Sequence, residues 1–281
     1  METVQTYRSF FANLVVRSAG SSSERLIAAF SLVERERFLG AGPWQICDGA
    51  GSYLSSPGND PRLLYQNILV GIVPELGINN GEPVLHAKCL SACNPVEGDQ
   101  VVHIGAGTGY YTALLAALVG RQGKVLAYEI HPDLCQRARE NLAELEWVEV
   151  RGESATLAEI PEANVIYVSA GVTHPVPSWL KALKLGGRLL LPLTTNEGIG
   201  CMLLAVRVGE AAYAASIISV ARFVPCVGAR DDEEAERLTH ALQTRPTTEV
   251  RSLRVGRDHD ETSWCICKDW WLSTADPIGQ P

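Results

Sequence analysis

Apolar residues recur at helical spacing through the first forty positions of this chain. Tyr7 to Arg17 predicts a helix, and Ser21 to Ser23 offer N-caps for a second one running from Glu24 to about Phe38. From Gly40 to Asp60, Gly, Ser and Pro crowd together and predict a loop. A short helical or extended stretch follows around Leu63 to Val73, then the loop Gly77 to Pro83, then a helix from Val84 to Cys93.

The pattern then changes to short apolar runs alternating with amphipathic segments. Gln100–Ile104, Lys124–Tyr128, Val148–Val150, Val165–Val168 and Arg188–Pro192 read as strands. Between them, Tyr111–Val119, Asp133–Leu145 and Pro177–Lys184 read as helices, the second capped by Asp133. Strands and helices alternating at this period predict parallel βαβ units in a doubly wound, mostly parallel sheet. Cys201–Val208 and Ile217–Pro225 are expected as two further strands paired at the sheet edge. Beyond Gly228 come a polar helix from Asp231 to Gln243 and two strands, Glu249–Arg257 and Ser263–Leu272. The expected organisation is an N-terminal helical cap and substrate loop (1–94), a core (95–228) and a C-terminal α+β extension (229–281).

Composition narrows the class. A hydrophobic fraction of 46% with 20% charged residues is that of a globular chain. A net charge of −8 argues against a nucleic-acid partner, which needs a concentrated positive field. No apolar run approaches the roughly 18 residues that cross a bilayer, and the first eleven residues lack the form of a signal peptide. No membrane association and a cytoplasmic location are therefore expected. The eight cysteines show neither a disulfide framework nor zinc-knuckle spacing: Cys89 and Cys93 are four apart on a helix, Cys265 and Cys267 two apart on a strand. No metal is expected.

The chemistry concentrates where the strand Val101–Ile104 meets Gly105-Ala106-Gly107-Thr108-Gly109-Tyr110. Dinucleotide folds place glycines in a G-x-G-x-x-G pattern, because a pyrophosphate must reach the helix N-terminus. Here the glycines fall at 105, 107 and 109, which suits a ligand without a pyrophosphate, and S-adenosylmethionine is such a ligand. Glu129 ends the next strand, where a carboxylate can accept ribose hydroxyls, and Glu153 follows the third, within reach of an adenine edge. The expected cofactor contacts are His103, Gly105, Ala106, Gly107, Thr108, Gly109, Tyr110, Glu129, Ile130, Glu153 and Ser154.

The run from Gly105 through Tyr111-Thr112-Ala113, with Gly123-Lys124-Val125, Ala138-Arg139-Glu140-Asn141-Leu142, Gly186-Gly187-Arg188-Leu189 and Phe223-Val224-Pro225, resembles the protein-L-isoaspartate O-methyltransferase family. Val33-Glu34-Arg35-Glu36-Arg37-Phe38 is similar to that family's Val-Pro-Arg-Glu-x-Phe segment. The resemblance implies a Rossmann-like S-adenosylmethionine methyltransferase acting on a carboxyl group of a peptide or protein. Two departures stand out. His103 occupies a position that is usually acidic in the family. Where the family's substrate loop reads Thr-Ile-Ser-x-Pro, this chain has Asn79-Asn80-Gly81-Glu82-Pro83, and the hydroxyl is missing.

A carboxylate acceptor is already ionised at neutral pH, so alignment and desolvation suffice and no base is required. Asn79, Asn80 and Gly81 are accordingly the expected catalytic loop, with the asparagine amides orienting the acceptor. Asn-Asn-Gly also makes a good turn by itself. Glu82, His86, Ser169 and His174 are further candidates for the acceptor side, and Trp264, Trp270 and Trp271 fit core packing better than a cleft. Three readings stay open: a peptide or protein carboxyl methyltransferase, a methyltransferase for a small molecule or biosynthetic peptide, and a binding module without catalysis. The sequence carries no signal for oligomeric state.

Overall fold

The computed structural model describes residues 3–277. The outermost residues of the expected N-terminal cap (1–2) and C-terminal extension (278–281) lie outside the described residues. In chain order the elements are α1 (Val4–Ser18), α2 (Glu24–Leu32), β1 (Gln45–Cys47), β2 (Tyr53–Ser55), β3 (Val70–Val73), β4 (Ile78–Asn79) and α3 (Pro83–Cys93). These are followed by β5 (Gln100–Ile104), α4 (Tyr110–Val119), β6 (Lys124–Tyr128), α5 (Pro132–Leu142), β7 (Val148–Arg151), β8 (Ala163–Val168) and α6 (Pro177–Ala182). The chain closes with β9 (Leu183–Thr194), β10 (Ile199–Arg207), β11 (Tyr213–Arg222), α7 (Asp232–Thr244), β12 (Ser252–Val255), β13 (Ser263–Ile266) and β14 (Trp270–Ser273).

Two compact units result. One comprises the chain up to Asp99 with Ala106–Gly152; the other comprises Gln100–Gly105 with the chain from Glu153 onward. In the first unit, Thr3 caps α1 and Ser23 caps α2, each by accepting a backbone N–H two residues into its helix. Phe11 of α1 meets Phe30 of α2 and Tyr65 edge-on, with centroids 6.1 and 5.6 Å apart. Arg25 donates to the carbonyls of Leu118 (2.7 Å) and Pro95 (3.1 Å), so a cation occupies the negative end of α4. β6 and β7 pair in parallel, from Val125 opposite Val148 to Tyr128 opposite Arg151.

The stretch between Gly40 and Asp60 is not the plain loop its composition predicts. β1 and β2 form a hairpin within it, and β1 also pairs with β3, giving an antiparallel sheet in the order β2-β1-β3-β4. Leu39, Trp44, Leu64 and Val70 form a small core beneath it, with Leu63, Ile68 and Ile72 packed alongside. Three-residue strands lack enough alternation to be read locally; they form because a distant strand, β3, completes their hydrogen bonds. Two helix readings also shift. The predicted helix to Phe38 ends at Leu32, and Arg35–Phe38 forms a separate 3-10 turn. Helix α5 begins at Pro132 with His131 as its N-cap, and Asp133 sits in the first turn instead of capping it.

In the second unit the strands run in the order β13-β14-β12-β11-β10-β9-β8-β5. β5, β8 and β9 are parallel, the Rossmann-like half that the alternation predicts. From β9 outward the pairing is antiparallel. β10 and β11 do pair, but in the sheet interior and not at its edge, because the C-terminal strands add on beyond β11. The single strand expected over Ser263–Leu272 is two strands, β13 and β14, folded back on each other. Trp264, Trp270 and Trp271 are all buried, in keeping with core packing.

One charged side chain organises the first unit. Arg35 is fully buried and donates from Nη1 to the carbonyls of Leu64 (2.7 Å) and Gln66 (3.1 Å), and from Nη2 to that of Ile68 (2.7 Å). Its Nε donates to Oδ1 of Asn80 at 3.1 Å. Arg35→Ala would strand four acceptors, of which the Leu64 carbonyl and Asn80 Oδ1 are buried and worth about 1–3 kcal/mol each when left unpaired. The expected outcome is a thermal midpoint lower by on the order of 10 °C. A midpoint within about 2 °C of the parent in a calorimetric scan would show that the segment 64–80 is held some other way.

Candidate functional site

The glycine turn divides between the two units. In the first, Gly109 ends the turn and α4 opens at Tyr110; Ala106 N–H donates to the carbonyl of Tyr128 (3.0 Å), tying the turn to the end of β6. The decisive contact is next to it. Gly107 N–H donates to Oε2 of Glu129 at 2.7 Å, while His131 N–H donates to Oε1 at 2.9 Å. Glu129 is only 7% exposed, and burial raises its carboxyl above the ordinary glutamate range, opposed by these backbone donors. Gly107 has φ 57°, and nothing lies within 4 Å of where a Cβ would project. The buried Thr108 Oγ1 and Tyr110 Oη have no hydrogen-bond partner among the described residues. Asn141 Nδ2 holds the carbonyl of Thr108 at 2.9 Å. Ile130 is half-exposed beside Glu129.

In the same unit the loop Asn79-Asn80-Gly81 rests on the start of α4. Tyr111 Oη donates to the carbonyl of Gly81 at 3.4 Å, and Asn79 Oδ1 accepts from Gly81 N–H at 2.8 Å. Asn80 is buried, with Arg35 on its Oδ1 and its own N–H on the carbonyl of Val70 (2.8 Å). His86 is buried and stacked on Tyr111, rings 3.6 Å apart and 14° from parallel. A Cβ on Gly81 would stand 2.5 Å from Nε2 of His86 and 3.0 Å from the Tyr111 ring, at φ 72°. A side chain at position 81 would therefore meet the His86 imidazole. Asn67 fixes the entry to α3, donating to Glu82 Oε1 and accepting from Val84 N–H at 2.8 Å.

In the second unit, His103 on β5 is fully buried, its Nε2 3.1 Å from Ser169 Oγ at the end of β8. Burial pushes its imidazole down to about 3, so it is neutral at physiological pH. Gly105 lies against the backbone of Ser169, whose N–H donates to the carbonyl of Ile104 at 2.8 Å. Glu153 is exposed, and Ser154 Oγ is bonded to Thr156 Oγ1 at 2.8 Å. His174 faces Glu234 of α7. Arg35, Tyr111 and Glu234 escape the sequence reading, since each acts through a partner at least thirty residues away.

A family model described as protein-L-isoaspartate(D-aspartate) O-methyltransferase (PCMT) matches residues 61–231. The chain belongs to this family. It is 30% identical over 226 residues to the protein-L-isoaspartate O-methyltransferase of Rhodopseudomonas palustris, covering 79% of this chain and 93% of that one. The Ignicoccus hospitalis enzyme of the same name is 31% identical over 150 residues, covering 52% of this chain and 70% of the relative. A solved protein-L-isoaspartate O-methyltransferase has the same fold, with TM-score 0.65 at 18% identity, covering 98% of this chain and 88% of that chain. So does a Plasmodium falciparum structure named for the same family and solved with S-adenosyl-L-homocysteine, with TM-score 0.63 at 15% identity, covering 78% and 97%. The chain is accordingly an S-adenosylmethionine-dependent methyltransferase.

The residues present fit that methyl donor. A desolvated carboxylate met by backbone N–H groups, among them Gly107 and His131, can still accept from hydroxyls through its remaining lone pairs, and the space over Gly107 is open to a ligand. Glu129→Gln should weaken S-adenosylmethionine binding about 10–100-fold in calorimetry, the loss of a charge-assisted hydrogen bond. Binding by the parent should also fall as pH is lowered, beginning at a higher pH than an ordinary glutamate would give, because protonation removes acceptor capacity. Affinity independent of both changes would refute the ribose role of Glu129. For the loop, Gly81→Ser should cost about 2–4 kcal/mol through φ strain and the clash with His86. Pairing it with His86→Ala should recover part of that loss in urea unfolding; no recovery would mean the imidazole is not the obstacle.

Proposed function

We propose that this protein transfers a methyl group from S-adenosylmethionine to a side-chain carboxylate of a peptide or protein, of the isoaspartyl type. The observation that carries this reading is the orientation of Asn80. Arg35 occupies its Oδ1, so the amide turns its NH2 group, two donors, away from the guanidinium. Donors suit an anionic acceptor. The loop that presents them is joined through Tyr111 to the helix that the glycine turn opens. The bound donor supplies an electrophilic methyl on a sulfonium.

The chain's own part is to align and desolvate. Gly105, Ala106, Gly107, Thr108, Gly109 and Tyr110 are assigned to the methyl donor, and His103 is assigned to it as a neutral acceptor. Glu129 and Ile130 serve the ribose, and Glu153 and Ser154 the adenine edge. Asn79, Asn80 and Gly81, flanked by Glu82 and His86, orient the acceptor carboxylate, with Ser169 and His174 on the acceptor side. Holding two reactants in register can supply roughly 7–11 kcal/mol of a barrier, so a carboxylate acceptor needs no base. A cytoplasmic setting belongs to this reading, since the cysteine spacing shows no disulfide framework. Among the described residues no helix is long and apolar enough to cross a membrane.

The test is methyl incorporation from labelled S-adenosylmethionine into an isoaspartyl peptide and its normal aspartyl counterpart. Base-labile methyl ester on the isoaspartyl peptide is expected, falling at least about tenfold in Asn80→Ala, equivalent to one hydrogen bond of about 1.4 kcal/mol. Intact cofactor binding with no ester on either peptide would rule out carboxyl transfer.

A further inference from the structure

The C-terminal strands carry two thiols that methyl transfer does not use. Cys265 on β13 and Cys267 just after it stand two residues apart, so both side chains leave the same side of the strand. Their sulfurs lie 3.9 Å apart, and both residues are buried. β13 pairs Ser263 with Ser273 and Cys265 with Leu272, which leaves Trp264 as an extra residue in a bulge. Beyond the strand, Cys267 N–H donates to the carbonyl of Trp270 at 3.0 Å and closes the turn into β14. The Trp270 indole Nε1 donates to Oε1 of Glu234 on α7 at 3.2 Å. Both thiols lie beyond residue 231, where the family match ends.

Burial does not seal the pair. Cys265 lines a groove of about 400 Å³ with Arg237 and His240 of α7, Arg245 that follows the helix, and Trp264. Arg245 Nη1 donates to the carbonyl of Ser263, which fixes one guanidinium along the strand that carries Cys265. Arg237 reaches Glu233 only at 3.9 Å. The hydrogen bond from the Cys267 thiol lowers the pKa of Cys265 below the ordinary cysteine value, and Arg245 and Arg237 add to this, against burial and the Glu234 carboxylate. Cys267 shifts upward, because it supplies that hydrogen bond and is itself buried. The two thiols are therefore unequal: Cys265 ionises first, with Cys267 in contact beside it.

We propose that Cys265 and Cys267 form a redox-reactive dithiol, in which Cys265 attacks a small hydroperoxide and Cys267 resolves the product to an intrachain disulfide. In the first step the Cys265 thiolate forms a bond to one peroxide oxygen, giving a sulfenic acid. The oxygen–oxygen bond breaks and leaves its electron pair on the other oxygen, which takes up the proton that Cys265 released and departs as an alcohol or water. In the second step the Cys267 sulfur bonds to the Cys265 sulfur, the sulfur–oxygen bond breaks, and hydroxide leaves with the Cys267 proton as water. The two thiols lose two electrons and two protons, and the peroxide gains both. Closing the sulfurs from 3.9 Å to bonding distance is an approach of about 2 Å, beside the turn that begins at Cys267.

The experiment treats the reduced full chain with hydrogen peroxide, alkylates the remaining thiols at intervals, and maps the tryptic digest by mass spectrometry. Both cysteines fall in one tryptic peptide, residues 258–268, bounded by Arg257 and Lys268. That peptide is expected to become two hydrogens lighter and unlabelled, and to accept two labels after reduction with dithiothreitol. Cys47 is the internal reference, because it is half-buried while the other cysteines are buried. Exposure alone would oxidise Cys47 first; the dithiol is expected to react at least about tenfold faster, and to lose that lead in urea. Cys267→Ser should leave Cys265 as a sulfenic acid captured by dimedone, and Arg237→Gln combined with Arg245→Gln should slow disulfide formation at least about threefold. A thermal melt verifies the folding of each variant; should Cys267→Ser fail it, the order of oxidation in the parent decides. The proposal is overturned if Cys47 oxidises first, if the peptide keeps both labels, or if the lead persists unchanged in urea. Capture at Cys267 in Cys265→Ser as fast as at Cys265 in Cys267→Ser would overturn it as well.

Discussion

A single buried guanidinium sets much of what the first unit can be. Arg35 carries its charge into a region without an acidic partner on its nitrogens, and burial pulls its pKa below the ordinary arginine value. Such a charge is tolerable only when its donors are met. Three of those acceptors are main-chain carbonyls between Leu64 and Ile68, so the chain there must run past Arg35 in one conformation. The fourth is Asn80, which turns a requirement of burial into the orientation of a candidate acceptor-binding amide. Arg35 also lies 6.0 Å from the centroids of the Phe11 and Tyr110 rings, linking helix packing, loop and glycine turn.

The cofactor side follows a different logic, with the backbone doing the positioning. Glu129 does not meet a cation; it holds two N–H groups, one of them in the middle of the glycine turn. Turn and carboxylate are thereby tied together, alongside the Ala106–Tyr128 and Asn141–Thr108 hydrogen bonds. In the second unit His103 is neutral through burial.

Around Gly81, close packing ties a loop to two helices. Gly81 leaves room for His86 to stack on Tyr111, and Tyr111 in turn reaches back to the Gly81 carbonyl. The three residues form a closed arrangement that any side chain at position 81 would strain. On the second unit, the C-terminal strands and α7 are built onto the family fold, and their buried Trp270 and Glu234 end at His174.

The alternation of strand and helix, the glycine spacing and Glu129 at a strand end were legible because they depend on neighbours a few residues away. Backbone geometry alone places glycines in a tight turn and a carboxylate at the end of the next parallel strand. The hairpin inside Gly40–Asp60, the split of Ser263–Leu272 and the interior position of β10 and β11 were not legible, since each is settled by a strand that arrives from elsewhere in the chain. The same holds for chemistry. Sequence by itself determined a Rossmann-like methyltransferase and its donor turn. Only the tertiary structure decided that Arg35 orients Asn80, that His86 packs against Gly81 and that Glu234 meets His174, because burial and hydrogen bonding join residues across 45, 5 and 60 positions of chain.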